Sequence, residues 1–80
     1  MLLCRVVGST VATVKAPGLA DFKLLNVKPE NGEGPEIVAV DGVGAGMGDL
    51  VLVALGSAAR GLDATREVAT DATIVAIVDA

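Results

Sequence analysis

The sequence predicts an all-β fold: a small, closed or nearly closed five-stranded antiparallel barrel with one short helical turn. Three observations predict it. Five short apolar stretches carry strand-like patterning and are separated by Gly, Pro, Asn and Asp. Almost nothing between them reads as helix. The chain has only 80 residues, and in so small a sheet closure removes the exposed edges that would otherwise invite pairing with other chains. One domain over residues 1–80 is expected.

Residues 2–14 read as the first strand. The even positions Leu2, Cys4, Val6, Gly8, Thr10, Ala12 and Val14 are all apolar or small, and the odd ones are mixed. Such alternation fits a half-buried strand. Gly8 lies within it, where a bend or bulge is the usual reason. Lys15-Ala16-Pro17-Gly18 is a turn, with Pro17 fixing φ and Gly18 free to take positive φ. Residues 22–27 (FKLLNV) form the second strand. The polar stretch 28–36 (KPENGEGPE) is a surface loop, and the third strand runs from Glu36 or Ile37 to Asp41. A glycine-dense turn leads into a fourth strand over residues 49–55. Residues 57–60 suit a single helical turn capped by Ser57. Residues 61–71 are polar and irregular, and residues 73–78 (TIVAIV) are the last strand.

The fourth and fifth strands are apolar on both faces. Leu50, Leu52 and Ala54 back onto Val51, Val53 and Leu55; Ile74, Ala76 and Val78 back onto Thr73, Val75 and Ile77. Strands of that kind are covered on both faces. A domain this size has one core, and 52% of the chain is apolar. The second cover is expected from a neighbouring subunit.

Composition excludes several functions. Phe22 is the only aromatic residue, so neither aromatic anchoring of a partner nor base stacking is available. A net charge of −4 argues against nucleic acid. Histidine is absent, which removes the commonest general base and transition-metal ligand. Cys4 is the single cysteine, so no intrachain disulfide or multi-thiolate site forms; inside an apolar strand it reads as a small buried hydrophobe. No cofactor and no metal are expected. No apolar run approaches the ~20 residues of a membrane helix, and Arg5 interrupts the opening apolar run. The expectation is a cytosolic protein with no membrane partner.

The most informative stretch is residues 40–60, VDGVGAGMGDLVLVALGSAAR. Gly42, Gly44, Gly46 and Gly48 look like a nucleotide loop. The Lys-Ser/Thr of a phosphate-binding loop is missing. Counting from Gly42 and Gly44, the third glycine of a dinucleotide loop falls on Met47; counting from Gly44 and Gly46, it falls on Asp49. A strand follows rather than a helix, whose N-terminus would hold the phosphates. The glycines read as tight turn geometry packed against a neighbour, and the alternative is an anion-binding nest. Where Gly44 or Gly46 takes positive φ or abuts backbone, a Cβ is excluded. Asp49 has no catalytic partner nearby and reads as a turn acceptor. Ser57 has no base beside it and reads as a cap. Gly56 marks the corner. Arg60 either binds a phosphate or carboxylate ligand or pairs with a carboxylate across an interface. Glu30, Glu33 and Glu36 read as solvated loop acids.

Four segments carry a resemblance: LCRVVGSTVATVK at the start, the strand KLLNVK, the block VAVDGVGAGMGDLVLVALGSAAR, and the ending ATIVAIVD. Their order and spacing resemble the EutN/CcmL family of bacterial microcompartment vertex proteins over nearly the whole chain. The resemblance implies a five-stranded, OB-like barrel that assembles as a homopentamer and caps the vertices of a polyhedral shell. It implies hexameric shell proteins as partners, a place in the microcompartment shell, and no enzymatic activity. It tilts Arg60 towards the interface. Gly42, Gly44, Gly46, Gly48, Asp49, Gly56, Ser57 and Arg60 are the assembly candidates. Two features depart from the family. The 28–36 loop is shorter than in many members. The last strand lies close to Ala80, where many relatives carry a further tail. Contacts made by those parts do not carry over. The rival reading is an OB-type module for oligonucleotides or another ligand, which would need an aromatic or basic face.

Overall fold

A computed structural model describes residues 1–79; Ala80, the last residue of the expected domain, lies outside them. Five strands close into a barrel: β1 (Leu2–Thr10), β2 (Leu24–Pro29), β3 (Ile37–Asp41), β4 (Leu50–Leu55) and β5 (Ala72–Ile77). Around the barrel the order is β1-β2-β3-β5-β4. Two short 3-10 turns, Gly56–Arg60 and Asp63–Thr65, lie between β4 and β5.

The antiparallel expectation holds for four of the five strand pairs and fails for one: β3 and β5 run parallel, through Val40↔Thr73 and Asp41↔Ile74. The reason is arithmetic. Strand directions cannot alternate all the way round a ring with an odd number of strands, so a closed five-stranded barrel must contain a parallel pair. Here that pair is kept short.

Period-two alternation fills the interior. Cys4 and Val6 of β1, Leu25 and Val27 of β2, Ala39 of β3, Val51 and Val53 of β4, and Ala72 and Ile74 of β5 form one buried cluster, closed at one end by Ala45. Apart from Leu25, these side chains are small or β-branched, which suits an interior narrower than that of an eight-stranded barrel. Burial pushes the Cys4 thiol pKa up, in keeping with a core role for this residue.

Gly8 does mark a bulge. The β1–β2 register steps from Val6↔Val27 to Gly8↔Asn26, leaving Val7 as the extra residue. A second shift lies between β4 and β5, where Leu52↔Ala76 is followed by Val53↔Ile74. Strand boundaries differ from those expected by one residue at β4 and β5 and by more at β1 and β2. β1 stops at Thr10, because its partner β2 begins only at Leu24. Phe22 instead belongs to a turn, its N–H donating to the Leu19 carbonyl at 3.1 Å. β2 runs on to Pro29, opposite Cys4; a proline in the last strand position costs no interior ladder bond.

The outer surface is uneven. The segment between β4 and β5 wraps the barrel and buries Ala54 and Thr73. Elsewhere a cross-strand row of Leu3, Leu52 and Ala76 faces outward and is covered only in part by the chain itself, with Leu3 exposed and Leu52 and Ala76 half-buried.

Candidate functional site

β4 separates the two groups of candidate residues. The glycine turn enters it at Asp49–Leu50, and the corner leaves it at Leu55–Gly56. Six residues at about 3.3 Å each put the groups roughly 20 Å apart, at opposite ends of the barrel. Within one chain, the structure does not bring Gly42, Gly44, Gly46, Gly48 and Asp49 together with Gly56, Ser57 and Arg60.

Asp41 organises the turn. It is the last residue of β3, and its carboxylate is buried. Its Oδ1 accepts from the backbone N–H of Val43 (3.1 Å), Gly44 (3.0 Å) and Ala45 (3.1 Å). Its Oδ2 lies 3.4 Å from Lys23 Nζ, which also donates to the Ala45 carbonyl at 2.6 Å. One acid and one lysine therefore tie down the first half of the turn and drive Ala45 into the core. The sequence reading passed over Asp41. An acid immediately before a glycine run was the available signal, since Asp side chains cap the backbone that follows them.

The second half closes on Asp49, as expected for a turn acceptor. Gly46 N–H donates to Asp49 Oδ2 at 2.8 Å, and Asp49 N–H donates back to the Gly46 carbonyl at 3.1 Å. Gly48 N–H reaches the Val6 carbonyl, and Val6 N–H reaches the Asp49 carbonyl, both at 2.9 Å. Arg5 Nη1 donates to the Gly48 carbonyl at 3.1 Å, and the same guanidinium pairs with Glu30. Glu30 is therefore engaged, rather than merely solvated.

These bonds decide between nest and turn. The N–H groups of Gly42, Val43, Gly44, Ala45, Gly46, Gly48 and Asp49 all have acceptors inside the chain, Gly42 through the Ile74 carbonyl at 3.1 Å. An anion would have to displace them. The glycines also differ from one another. Gly44 has φ +85°, which L side chains rarely adopt. Gly42 is limited by space: a Cβ there would lie 2.8 Å from the Ile74 carbonyl oxygen and 2.9 Å from Leu62 Cδ1. Gly48 has φ +86°, like Gly44, whereas Gly46 meets neither condition within the chain; of the two positions expected to exclude a Cβ, the chain's own structure bears this out at Gly44.

The corner is built from different material. Gly56 turns the chain at φ +63°, and its N–H donates to the Asp71 carbonyl at 2.8 Å. The 3-10 turn then starts at Gly56 itself, with Leu55 in the cap position and no side-chain cap bond. The Ser57 cap is thus corrected: the turn begins one residue earlier than expected, and Ser57 is exposed. Behind it, the Ala59 carbonyl accepts from Thr73 Oγ1 (2.7 Å) and Thr65 Oγ1 (2.9 Å), both buried hydroxyls. Arg60 points outward. Its one bond among the described residues is a long 3.4 Å donation to the Thr70 carbonyl.

Among the described residues, the arrangement places no nucleophile beside a base. Its titratable groups hold backbone, and its remaining resource is surface.

A family model described as "Ethanolamine utilisation protein EutN/carboxysome" matches residues 1–79. Among relatives, the bacterial microcompartment shell vertex protein PduN of Salmonella typhimurium is 42% identical, over 99% of this chain and 96% of that protein. The carboxysome shell vertex protein CcmL of a Synechocystis species is also 42% identical, over 99% of this chain and 83% of that one. Among solved structures, CcmL of a Nostoc species superposes with a TM-score of 0.89 at 40% identity, covering 99% and 89% of the two chains. The pentameric microcompartment shell protein GrpN of Rhodospirillum rubrum gives 0.82 at 40% identity, covering 100% and 95%.

Proposed function

The chain belongs to the EutN/CcmL family, and from that premise we propose that it is a structural shell protein, a homopentamer capping the vertices of a polyhedral bacterial microcompartment. The observation that carries this is the match itself, which runs through the barrel, the glycine turn and the corner alike, with relatives that are shell vertex proteins. The structure supports it physically. The partly covered outward row of Leu3, Leu52 and Ala76 and the outward corner are surface that a lone subunit leaves in part to water.

The mechanism is geometric. A heterologous contact whose rotation closes makes a ring. A five-fold tile among six-fold tiles forces curvature, so a layer of hexamers can close at its corners. Hexameric shell proteins are the partners in this reading, and the shell in the bacterial cytoplasm is its place. The role is architectural rather than enzymatic: Asp41, Lys23 and Asp49 are spent on holding the turn. Native mass spectrometry at micromolar concentration tests it. A pentamer is the expected main species, and a stable monomer would overturn the reading. The rival binding-module reading has no observation in its favour, since the turn's donors are engaged and Phe22 stands alone.

A further inference from the structure

The two ends of the barrel carry unlike apolar features that the chain itself does not satisfy. At one end the strand β1 stops, and residues 11–15 leave it as an arm. Val11 is 93% exposed and Val14 87% exposed; Val14 continues the apolar even-numbered face that made residues 2–14 read as one strand, and Val11 adds a second apolar side chain beside it. Lys15 ends the arm; its Nζ donates to the Phe22 carbonyl at 3.2 Å, which fixes its position and leaves two of its three donors free. At the other end an apolar groove opens between the end of β2, the 30–36 loop, the start of β3 and the end of β4. Pro29, Pro35, Ile37, Val38 and Leu55 wall it, and Glu33 and Asp71 stand on its rim. Val38 and Leu55 are close to half exposed.

We propose that the groove is the seat of a neighbouring copy's arm: Val11 and Val14 of one subunit lie in the groove of the next, with Lys15 against the acidic rim. This rests on the pentamer reading and specifies its contact. Three features favour a second copy as occupant. The arm is apolar, exposed, and available at the same concentration as the groove. The charges are complementary, a lysine facing Glu33 and Asp71. The two features lie at opposite ends of one barrel, so their union is heterologous and leaves a free arm and a free groove at each step. That is the kind of contact which builds rings. It also brings the corner of one subunit, through Leu55 and Gly56 in the groove wall, towards the arm end of its neighbour.

The experiment uses two surface variants of the full chain, each checked for wild-type circular dichroism. Val14→Asp spoils the arm, and Val38→Asp spoils the groove. Each alone is expected to lose the pentamer peak in native mass spectrometry. Mixed in equal amounts, they are expected to form a heterodimer and nothing larger, because only one of the possible contacts retains both a sound arm and a sound groove. In a separate variant, Leu55→Cys, the new thiol should be protected from a thiol reagent in the assembled ring; the buried Cys4 gives little background. Pentamers from both single variants, no heterodimer on mixing, or a freely labelled Leu55→Cys ring would each overturn the proposal. The last result would give the groove to a different partner. In all three cases a wild-type pentamer would leave the vertex reading standing. A monomeric wild type would overturn both.

Discussion

The glycine turn and the corner look alike in sequence, each a cluster of small residues beside β4, yet they handle their polar groups in opposite ways. The turn consumes its own donors. Seven backbone N–H groups between Gly42 and Asp49 end on the Asp41 or Asp49 carboxylates, on strand carbonyls or on the turn's own Gly46 carbonyl. The corner satisfies its buried side through Thr65 and Thr73 and leaves Ser57 and Arg60 to the outside. Density of glycine therefore says little about function. What distinguishes a folding device from an assembly surface is where the hydrogen bonds go.

The largest expected effect of breaking that contrast is at Asp41. Asp41→Ala removes the acceptor of three backbone donors, of which the Ala45 N–H is buried while Val43 and Gly44 are exposed, and it leaves the lysine without its partner. Leaving the buried Ala45 N–H unsatisfied costs about 1–3 kcal/mol and the two exposed donors add less, so a loss of roughly 2–3 kcal/mol in urea unfolding is expected. A loss below about 1 kcal/mol would mean that the turn does not depend on this carboxylate. The Lys23 ion pair adds little to that figure, since the lysine is mostly exposed.

Next come the glycines, which separate backbone geometry from composition. Gly42→Ala places a methyl against the Ile74 carbonyl and Leu62 and should cost about 1–3 kcal/mol as an overpacked site. Gly46→Ala meets open space within the chain and should stay within about 0.5 kcal/mol in the dissociated subunit. Equal effects at both positions would erase the distinction.

Arg60→Ala probes the corner. In the subunit it removes one long bond, so subunit stability should change by less than about 0.5 kcal/mol. In the ring, a buried carboxylate partner across the interface would make the cost about 3–5 kcal/mol, whereas a place on the exposed rim would keep it below about 1 kcal/mol. We expect the interface outcome, read as a rise in the concentration at which the pentamer dissociates.

The smallest effect concerns pH. Burial raises the folded-state pKa of Cys4 above its unfolded value. Below the unfolded value, about 8.5, the thiol is protonated in both states and adds no pH dependence. As pH rises past that point, the unfolded chain ionises first and stability declines. Cys4→Ala should remove that part of the alkaline decline. An unchanged alkaline slope would contradict it.

Much of the fold was legible because a two-residue period is a strong signal. Five strands and the buried Cys4 follow from it, and the bulge at Gly8 follows from a glycine lying within a strand. The ends of β1 and β2 were less legible, because Ala12 and Val14 extend the apolar even-numbered face past the last residue that pairs with β2, and because Pro29 reads as a loop residue when its register is unknown. The parallel β3–β5 pair needed a global constraint, the odd number of strands, that no local window contains. At the site, Asp49 was readable from its place after Gly48. Asp41 was obscured because strand-end acids are common, and its role depends on Lys23, eighteen positions earlier. The Ser57 cap failed because Gly56, in left-handed conformation, starts the turn first.

The central claim, that this chain closes a shell at its corners, is tested most directly by electron microscopy of microcompartments from a strain lacking it and any other vertex relative. A vertex contributes little area but is needed for closure. Facets and encapsulated enzymes should therefore persist while shells become elongated or stay uncapped, and the subunit restored in trans should return closed polyhedra. Normal closed polyhedra in its absence would contradict the account.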